Sequence, residues 1–352
     1  MSLLNETCTR ITAVDRAVAL AAQQQLDAKT KPRRSLGVLE DVACRIAAMR
    51  GTPAPALPEK AIVVMGADHG VAEEGVSAYP QAVTRQMLLN FAHGGAAINV
   101  LARHAGARVI VVDMGVKEAL PPHPAIRSHR IGPGTNNFTR GPAMNRADAV
   151  AAIEAGIGIA ETLSSEGVTL LGVGDMGIAN TTAASALTAV FAGASPTAVT
   201  GRGTGIDDAR LQHKLDVIQR ALRVNHPEPT DALGVLSTLG GFEIAGLVGV
   251  MLGGAAHQVP VILDGFITGA AALAAVRLAP YTADYLIASH RSVEVGHRVV
   301  LDALGLRPLL DLDLRLGEGT GATLAMHLAD AALHILHEMA TFAGAGVSDT
   351  GA

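Results

Sequence analysis

One carboxylate in this chain has glycine on both sides. Glu318 stands in the run Asp311-Leu-Asp-Leu-Arg-Leu-Gly-Glu-Gly-Thr-Gly-Ala322, where an alternating, strand-like pattern gives way to an apolar helical pattern. Glycine permits positive φ and a close approach of backbone to ligand, and apolar surroundings raise the pKa of a carboxyl group. Glu318 is therefore a candidate general base. The pattern fits equally well an acid that stabilises the N-terminus of a helix beginning near Thr320.

A second segment could hold phosphate. The run Gly201-Arg-Gly-Thr-Gly-Ile-Asp-Asp208 precedes a helical pattern that contains Lys214. Glycine loops expose backbone N–H groups to an anion, and a helix N-terminus and a lysine add positive charge. The run lacks the Gly-Lys-Ser/Thr spacing of a Walker A loop. Taken by itself, it is better explained as an ordinary glycine loop in which Asp207 caps the helix.

The composition predicts a globular α/β protein. Of the 352 residues, 49% are hydrophobic, 17% are charged and 39 are glycine. Such a chain can bury a large core, and glycine turns between buried strands are typical of parallel sheets. A net charge of -5, 3% aromatic residues and no tryptophan provide neither the basic surface nor the stacking platforms that nucleic-acid binding uses. We therefore expect no nucleic-acid partner.

Cysteine content and the N-terminus predict a cytoplasmic protein. Cys8 and Cys44 are the only cysteines, and the start Met-Ser-Leu-Leu-Asn-Glu-Thr-Cys lacks the basic residues and apolar core of a signal peptide. The uncharged stretch 244–263 has the length of a membrane span, but it contains a Gly-Gly pair and Pro260. We expect a buried helix followed by a strand there, and no membrane partner.

Short apolar runs alternate with helical patterns along the chain. Thr9 and Ser35 are predicted N-caps of amphipathic helices, the second of which ends near Gly51. The predicted strands are residues 61–65, 108–113, 168–173, 259–264 and 282–288. Repeated strand–helix order predicts the α/β class, with a three-layer, Rossmann-like parallel sheet that carries helices on both faces.

The chain ends are predicted to form a small helical domain beside the sheet. Residues 1–58 supply its N-terminal helices and end in the proline-rich run Thr52-Pro-Ala-Pro-Ala-Leu-Pro58. Residues 59–317 are predicted to form the large α/β domain. Residues 318–352 add a C-terminal helix that packs with the small domain.

In open parallel sheets, ligands bind beyond the carboxyl ends of the strands. Functional residues are therefore predicted in the loops that follow the strands. These loops are residues 66–70, 113–115, 172–177, 264–265 and 289–292.

Several motifs together resemble those of the nicotinate-nucleotide:dimethylbenzimidazole phosphoribosyltransferase family, over nearly the whole chain. They are Gly66-Ala-Asp-His-Gly-Val, Gly75-Val-Ser-Ala-Tyr-Pro80, Val83-Thr-Arg-Gln-Met87, Gly174-Asp-Met-Gly-Ile-Ala-Asn-Thr-Thr182, Gly201-Arg-Gly-Thr-Gly205 and Leu316-Gly-Glu-Gly-Thr-Gly-Ala322. The resemblance implies transfer of 5-phosphoribose from nicotinate mononucleotide to a benzimidazole-type base such as 5,6-dimethylbenzimidazole, in synthesis of the lower ligand of cobalamin. The implied products are nicotinate and an α-ribazole 5'-phosphate, formed with inversion from β to α at the sugar carbon. It also implies a homodimer that needs no metal or other cofactor.

The resemblance assigns catalysis to two carboxylates. Nicotinate leaves from a pyridinium nitrogen and needs no general acid, whereas the benzimidazole must lose its N–H proton, a role implied for Glu318. Asp175 stands where the family commonly has Glu. It would stabilise positive charge on the ribose, and its shorter side chain leaves that contact open or marks a changed acceptor.

The same resemblance implies that the large domain of residues 59–317 binds both the nucleotide and the acceptor. The implied acceptor-binding residues are Ser77, Tyr79, Pro80, Gln86 and Met87. The implied nucleotide- and phosphate-binding residues are Gly174, Gly177, Asn180, Gly203, Thr204, Gly205, Lys214 and Ser292. Without the resemblance, residues 75–87 would be interpreted as a turn entering a helix.

Two other functions remain as alternatives. A nucleotide-dependent oxidoreductase would share the parallel sheet, but no Gly-x-Gly-x-x-Gly follows the first strand. A noncatalytic nucleotide-binding regulator would keep the phosphate loop, and the Glu318 motif argues against it. The acceptor is left open among benzimidazoles, purines and phenols.

Overall fold

A computed structural model describes residues 2–203 and 205–348. The strands are β1 (Lys60–Ala67), β2 (Arg108–Gly115), β3 (Ile126–Ser128), β4 (Leu170–Met176), β5 (Val261–Leu263) and β6 (Leu286–Ala288). The helices are α1 (Leu3–Arg10), α2 (Arg16–Asp27), α3 (Val38–Arg50), α4 (Ala82–His93), α5 (Ala97–Ala105), α6 (Arg146–Ser165), α7 (Asn180–Phe191), α8 (Pro196–Val199), α9 (Asp208–Asn225), α10 (Ala232–Leu239), α11 (Phe242–Ala256), α12 (Phe266–Leu278), α13 (Val295–Leu304), α14 (Thr320–Glu338) and α15 (Phe342–Ala345). Two 3-10 helices span Gly70–Glu74 and Pro280–Tyr285.

The strands of the described residues form one parallel sheet in the order β3-β2-β1-β4-β5-β6. This is the order of a Rossmann-like sheet, in which the chain moves outward from β1 first in one direction and then in the other. A crevice opens where the direction reverses, between β1 and β4. The predicted fold class is confirmed.

Alternating side chains of the strands contact helices on opposite faces of the sheet. Ile62 lies next to Gly172, which in turn faces Ala322 and Met326 of α14. Met65, an odd number of residues away on β1, contacts α11 at Gly246. Helices α4, α5 and α14 therefore cover one face, and α11 and α12 cover the other, which gives three layers.

Four of the predicted strands are confirmed, each within a few residues of its predicted bounds. The prediction for residues 282–288 is wrong in its first half, because a 3-10 helix occupies Pro280–Tyr285 and β6 contains Leu286–Ala288 alone. The strand-like pattern of residues 311–316 is also wrong. There the chain is irregular, and Asp313 has a φ of 53°, which is incompatible with a strand. Strand β3 was not predicted, because three residues carry too little pattern.

Two predicted helix starts were misplaced. Thr9 lies near the end of α1, which Ser2 caps, and α3 begins after Gly37 rather than after Ser35. The end of α3 at Gly51 is confirmed. The uncharged stretch 244–263 contains most of α11 and then β5, as predicted. Within the described residues, no helix combines the length and apolarity that crossing a bilayer requires.

The terminal helices pack together. Helices α2 and α3 contact each other, and both contact α14. The ammonium group of Lys31 lies 2.9 Å from the carboxylate of Glu40, and both side chains are buried. The Phe342 N–H donates to the Ala28 carbonyl at 3.1 Å, which ties the two chain ends. The division into domains at residues 58 and 317 stays a prediction.

Candidate active site

A cavity is lined by loops that follow the strands on one side of the crevice. It is bounded by residues after β4, at the start of α12 and after β6, together with Val76, Ser77 and the segment 315–317. The prediction that the loops at 172–177, 264–265 and 289–292 converge is thereby confirmed. The predicted loops at 66–70 and 113–115 do not line this cavity. Helix α7 begins here, so its N-terminal N–H groups favour an anion.

Glu318 is held in an unusual backbone conformation. Its φ is 64°, and those of Gly317 and Gly319 are 84° and 89°, so three consecutive residues are left-handed. The side chain is 5% exposed, and its Oε2 accepts a hydrogen bond from the Ile98 N–H of α5 at 3.3 Å. Burial raises the pKa of Glu318. Glu318 itself does not line the cavity, whereas the preceding Gly317 does.

Asp264 fixes the turn that carries Glu318. Its carboxylate accepts hydrogen bonds from the N–H groups of Gly319 at 3.1 Å, Gly321 at 2.7 Å and Ala322 at 3.2 Å. These are N–H groups of the first turn of α14, which have no partner within the helix. Burial raises the pKa of Asp264 to about 7, although the three donors oppose the shift. Asp264 therefore caps α14 immediately after the candidate base.

Asp175 lies at the end of β4 and lines the cavity. Its Oδ2 accepts a hydrogen bond from the Asn180 amide at 2.8 Å. Burial raises the pKa of Asp175 to about 8; the charges of Asp264, Glu243 and Glu318 add to the shift, and Asn180 opposes it. Several acids share a small volume here, so a cationic ligand would be favoured beside Asp175.

Lys214 of α9 is 1% exposed, and its ammonium group contacts the glycine loop. Its Nζ donates to Thr181 Oγ1 at 2.8 Å and to the Gly201 carbonyl at 3.4 Å. Burial lowers the pKa of Lys214 to about 8, and Glu294 opposes the shift. Asp207 caps α9 by accepting from the Arg210 N–H, as the sequence predicted. Thus the lysine, the glycine loop and the start of α7 meet at one place.

The predicted nucleotide-binding residues divide into two groups. Gly177, Asn180, Gly203 and Ser292 line the cavity. Gly174 instead packs against the backbone of Glu318 and Gly319, and Gly205 lines a neighbouring cavity. Lys214 lines neither cavity and contacts Thr181 and Gly201 instead. Thr204 lies outside the described residues.

The predicted acceptor-binding residues are more scattered. Ser77 lines the cavity, whereas Tyr79, Pro80, Gln86 and Met87 do not. Tyr79 is 54% exposed, Pro80 and Gln86 are also exposed, and Met87 packs partly against the core. Their segment does reach the site, because the Ile178 N–H donates to Thr84 Oγ1 of α4 at 3.1 Å. Acceptor binding by these four residues stays a prediction.

Sequence reasoning missed several groups at the site. Residues not singled out include Thr181, Arg202, His290, Glu294 and Arg315, all of which line the cavity. Asp264 and His290 lie in the loops 264–265 and 289–292, which were predicted to carry functional residues, but neither side chain was assigned a role. Thr181 lies on the first turn of α7 and within the motif 174–182 that carries the family resemblance. Glu294 had no signal, because its contacts are with residues distant in the chain.

Metal ligands do not cluster in the described residues, where no group of three or more His, Cys, Asp or Glu side chains could hold an ion. A second, larger cavity of about 800 Å³ is lined mostly by the loop 131–144, and also by Gly70 of the predicted loop 66–70. None of the residues that were assigned catalytic or binding roles lines it. The acids and the glycine loop therefore favour the first cavity as the active site.

Known proteins share both sequence and fold with this chain. A family model described as Phosphoribosyltransferase matches residues 11–347. The chain is 57% identical to a nicotinate-nucleotide–dimethylbenzimidazole phosphoribosyltransferase of Chloroflexus aggregans, over 99% of each chain. A protein of the same name from Roseiflexus is also 57% identical, again over 99% of each chain. The chain belongs to this phosphoribosyltransferase family.

Solved structures of the nicotinate-nucleotide–dimethylbenzimidazole phosphoribosyltransferase family agree with the fold. The crystal structure of CobT from Thermus thermophilus matches with a TM-score of 0.91 at 52% identity, covering 94% of this chain and 99% of that one. A second crystal structure from the same organism matches with a TM-score of 0.90 at 51% identity, covering 95% and 99%. These relatives do not support the oxidoreductase or the regulator.

Proposed function

We propose that this protein transfers 5-phosphoribose from nicotinate mononucleotide to a benzimidazole-type base, in assembly of the lower-ligand nucleotide of cobalamin. The names of its relatives specify the donor and the acceptor class. The observation that carries the proposal is the buried Glu318, which is held in a left-handed turn and whose N–H donates to the Asp175 carbonyl at 3.3 Å. The cavity beside this turn is lined by Asp175 and by Gly203 of the glycine loop that Lys214 contacts. This arrangement suits a reaction between a cationic phosphorylated donor and a neutral N–H acceptor.

Glu318 serves as the general base. As the acceptor nitrogen forms its bond to the sugar carbon, the opposite ring N–H becomes acidic, and its proton passes to the Glu318 carboxylate. The bond between the sugar and nicotinate breaks at the same carbon, and its electron pair neutralises the pyridinium nitrogen. Burial raises the pKa of Glu318, so the group is a stronger base than an exposed glutamate.

The donor is held by its phosphate and its positive charge. Lys214, the N–H groups of the glycine loop and the start of α7 hold the phosphate. Asp175 faces the ribose and stabilises the cationic character that grows as nicotinate leaves. Gly177, Asn180, Gly203 and Ser292 complete this half of the site, and Ser77 with the segment 79–87 forms the acceptor side.

The active form is proposed to be a cytoplasmic homodimer. Cys8 and Cys44 are unpaired, which suits a reducing compartment. Exposed apolar side chains, including Val293, Leu312 and Leu316, lie on segments next to the cavity and would be covered by a second copy. Light scattering across a range of concentrations tests this, and a constant mass of 35.9 kDa would refute the dimer.

An acceptor panel tests the function. The protein is mixed with nicotinate mononucleotide and, separately, with benzimidazoles, purines and phenols, and free nicotinate is measured. The proposal predicts release that depends on the acceptor and is fastest with a benzimidazole. Folded protein that releases no nicotinate with any acceptor would reject it.

A further inference from the structure

Glu294 places a carboxylate inside the loop that is proposed to hold the donor's phosphate. It is the N-cap residue of α13, yet its side chain makes no capping hydrogen bond. The N–H of Gly203 faces the carboxylate and opposes the rise in pKa that burial causes. It also lies directly against Gly201, where any Cβ would overlap its Oε2. The loop that should bind an anion therefore already holds one from its own chain.

The charges around Glu294 are those that a phosphate group would seek. Lys214 and Arg315 both attract the Glu294 carboxylate electrostatically. Lys214 Nζ lies 3.6 Å from the position of a Cβ at Gly203, and so faces the same stretch of backbone. Carboxylate and phosphate oxygens are both acceptors and compete for the same N–H groups and the same ammonium group. The carboxylate and the phosphate cannot both occupy this position.

The position of Glu294 is incompletely satisfied and has space beside it. Its Oε2 is buried without a hydrogen-bond partner among the described residues. Burial raises the pKa of Glu294, which means that the charged form is disfavoured where it lies. The residue lines both the active-site cavity and a neighbouring cavity that also includes Gly205 and Val293. A modest side-chain rotation can therefore move the carboxylate from one cavity towards the other.

We propose that Glu294 takes the position of the donor's phosphate and is displaced towards the neighbouring cavity when a phosphate monoester binds. Glu294 then determines how tightly phosphate-bearing ligands are held, because each must compete with a carboxylate of the chain. A ligand without phosphate leaves Glu294 in place and meets no such competition. The inference rests on the proposed function for naming nicotinate mononucleotide as the ligand.

Removal of the charge at position 294 should act on phosphate ligands selectively. Glu294→Gln keeps the shape and removes the competing charge, so the Kd of nicotinate mononucleotide should fall about tenfold. The Kd of inorganic phosphate should fall as well. Nicotinate riboside, which lacks the phosphate, should bind as it does to the wild type. Glu118→Gln is the matched control, because Glu118 is exposed and lines neither cavity.

The test is calorimetric titration of the three ligands into the wild type, Glu294→Gln and Glu118→Gln. Glu294→Asp is a second variant, whose shorter side chain withdraws the carboxylate from Gly203, and it should also tighten nicotinate mononucleotide. Unchanged or weaker binding of both phosphate ligands in the folded variants would overturn the inference. Turnover by the wild type separates the two claims: no nicotinate release rejects the proposed function, whereas normal release without tighter binding rejects the role of Glu294 alone.

Discussion

Gly174 on β4 packs directly against the backbone of Glu318. A Cβ at position 174 would overlap the carbonyl carbon of Glu318 and the nitrogen of Gly319. The sheet therefore positions the candidate base through main-chain contact, and a glycine at this place in the strand is required by the close approach. Any enlargement at 174 must push the turn away from β4.

Gly174→Ala is expected to reduce activity by displacing Glu318. Overpacking of a buried contact typically costs about 1–3 kcal/mol, so the variant should still fold with a lowered free energy of unfolding. The kcat for nicotinate release should fall, because Glu318 no longer lies where the acceptor's proton leaves. Denaturant unfolding and steady-state kinetics measure the two effects.

Gly158→Ala provides the control for that substitution. Gly158 lies within α6, where a Cβ would have no atom within 4 Å. Alanine stabilises a helix by about 1 kcal/mol relative to glycine. This variant should therefore have a higher free energy of unfolding and an unchanged kcat. Equal losses of kcat in both variants would show that position 174 has no special relation to Glu318.

Glu318→Gln should preserve the fold and remove most turnover. The amide oxygen can still accept from the Ile98 N–H, so the turn is retained. It cannot take a proton, and loss of a general base typically lowers kcat by about 10²- to 10⁴-fold. Calorimetric binding of nicotinate mononucleotide should be unchanged. Near-normal kcat in a folded variant would exclude Glu318 as the base.

Lys214→Met should weaken binding of the donor and leave binding of the acceptor unchanged. Methionine fills much of the buried space but loses the charge and the hydrogen bond to Thr181. The KM for nicotinate mononucleotide should rise about tenfold or more, because a charge-assisted contact to phosphate is lost. The acceptor KM should stay near that of the wild type. If the donor KM does not change, Lys214 does not hold the phosphate.

Asp175 is expected to act on the rate more than on binding. Asp175→Asn should weaken the donor modestly and lower kcat by a larger factor, because the charge interaction with the donor strengthens as the ribose becomes cationic. Asp175→Glu, which restores the side chain common in the family, should stay active. Kinetics of both variants decide the role, and two variants with wild-type kcat would place Asp175 outside the chemistry.

Binding of the donor should release a proton from Asp175. Burial raises the pKa of Asp175 to about 8, so the group is largely protonated at pH 7. A pyridinium cation beside it favours the charged form and lowers that pKa, so the proton leaves as the donor binds. Titrations in buffers of different ionisation enthalpy count the protons. The wild type should release more than Asp175→Asn, and equal counts would contradict this assignment.

The sequence predicted the parts of the site that local chemistry determines. Glycines around Glu318, the helix start at Thr320 and the loops after the strands each follow from a few adjacent residues. The hydrogen bond from the Gly319 N–H to the Asp264 carboxylate joins residues 55 apart in the chain, and no local sequence pattern predicts it. The same is true of Lys214 with Thr181, 33 residues apart. Such contacts depend on how the layers pack, which one sequence does not reveal.

The most direct test of the account is the identity of the sugar product. The protein is incubated with nicotinate mononucleotide and 5,6-dimethylbenzimidazole, and the products are identified by nuclear magnetic resonance. The account predicts nicotinate and a riboside 5'-phosphate of the benzimidazole in equal amounts, with the α configuration at the sugar carbon. A β-configured product, or ribose 5-phosphate from hydrolysis in place of a riboside, would contradict it.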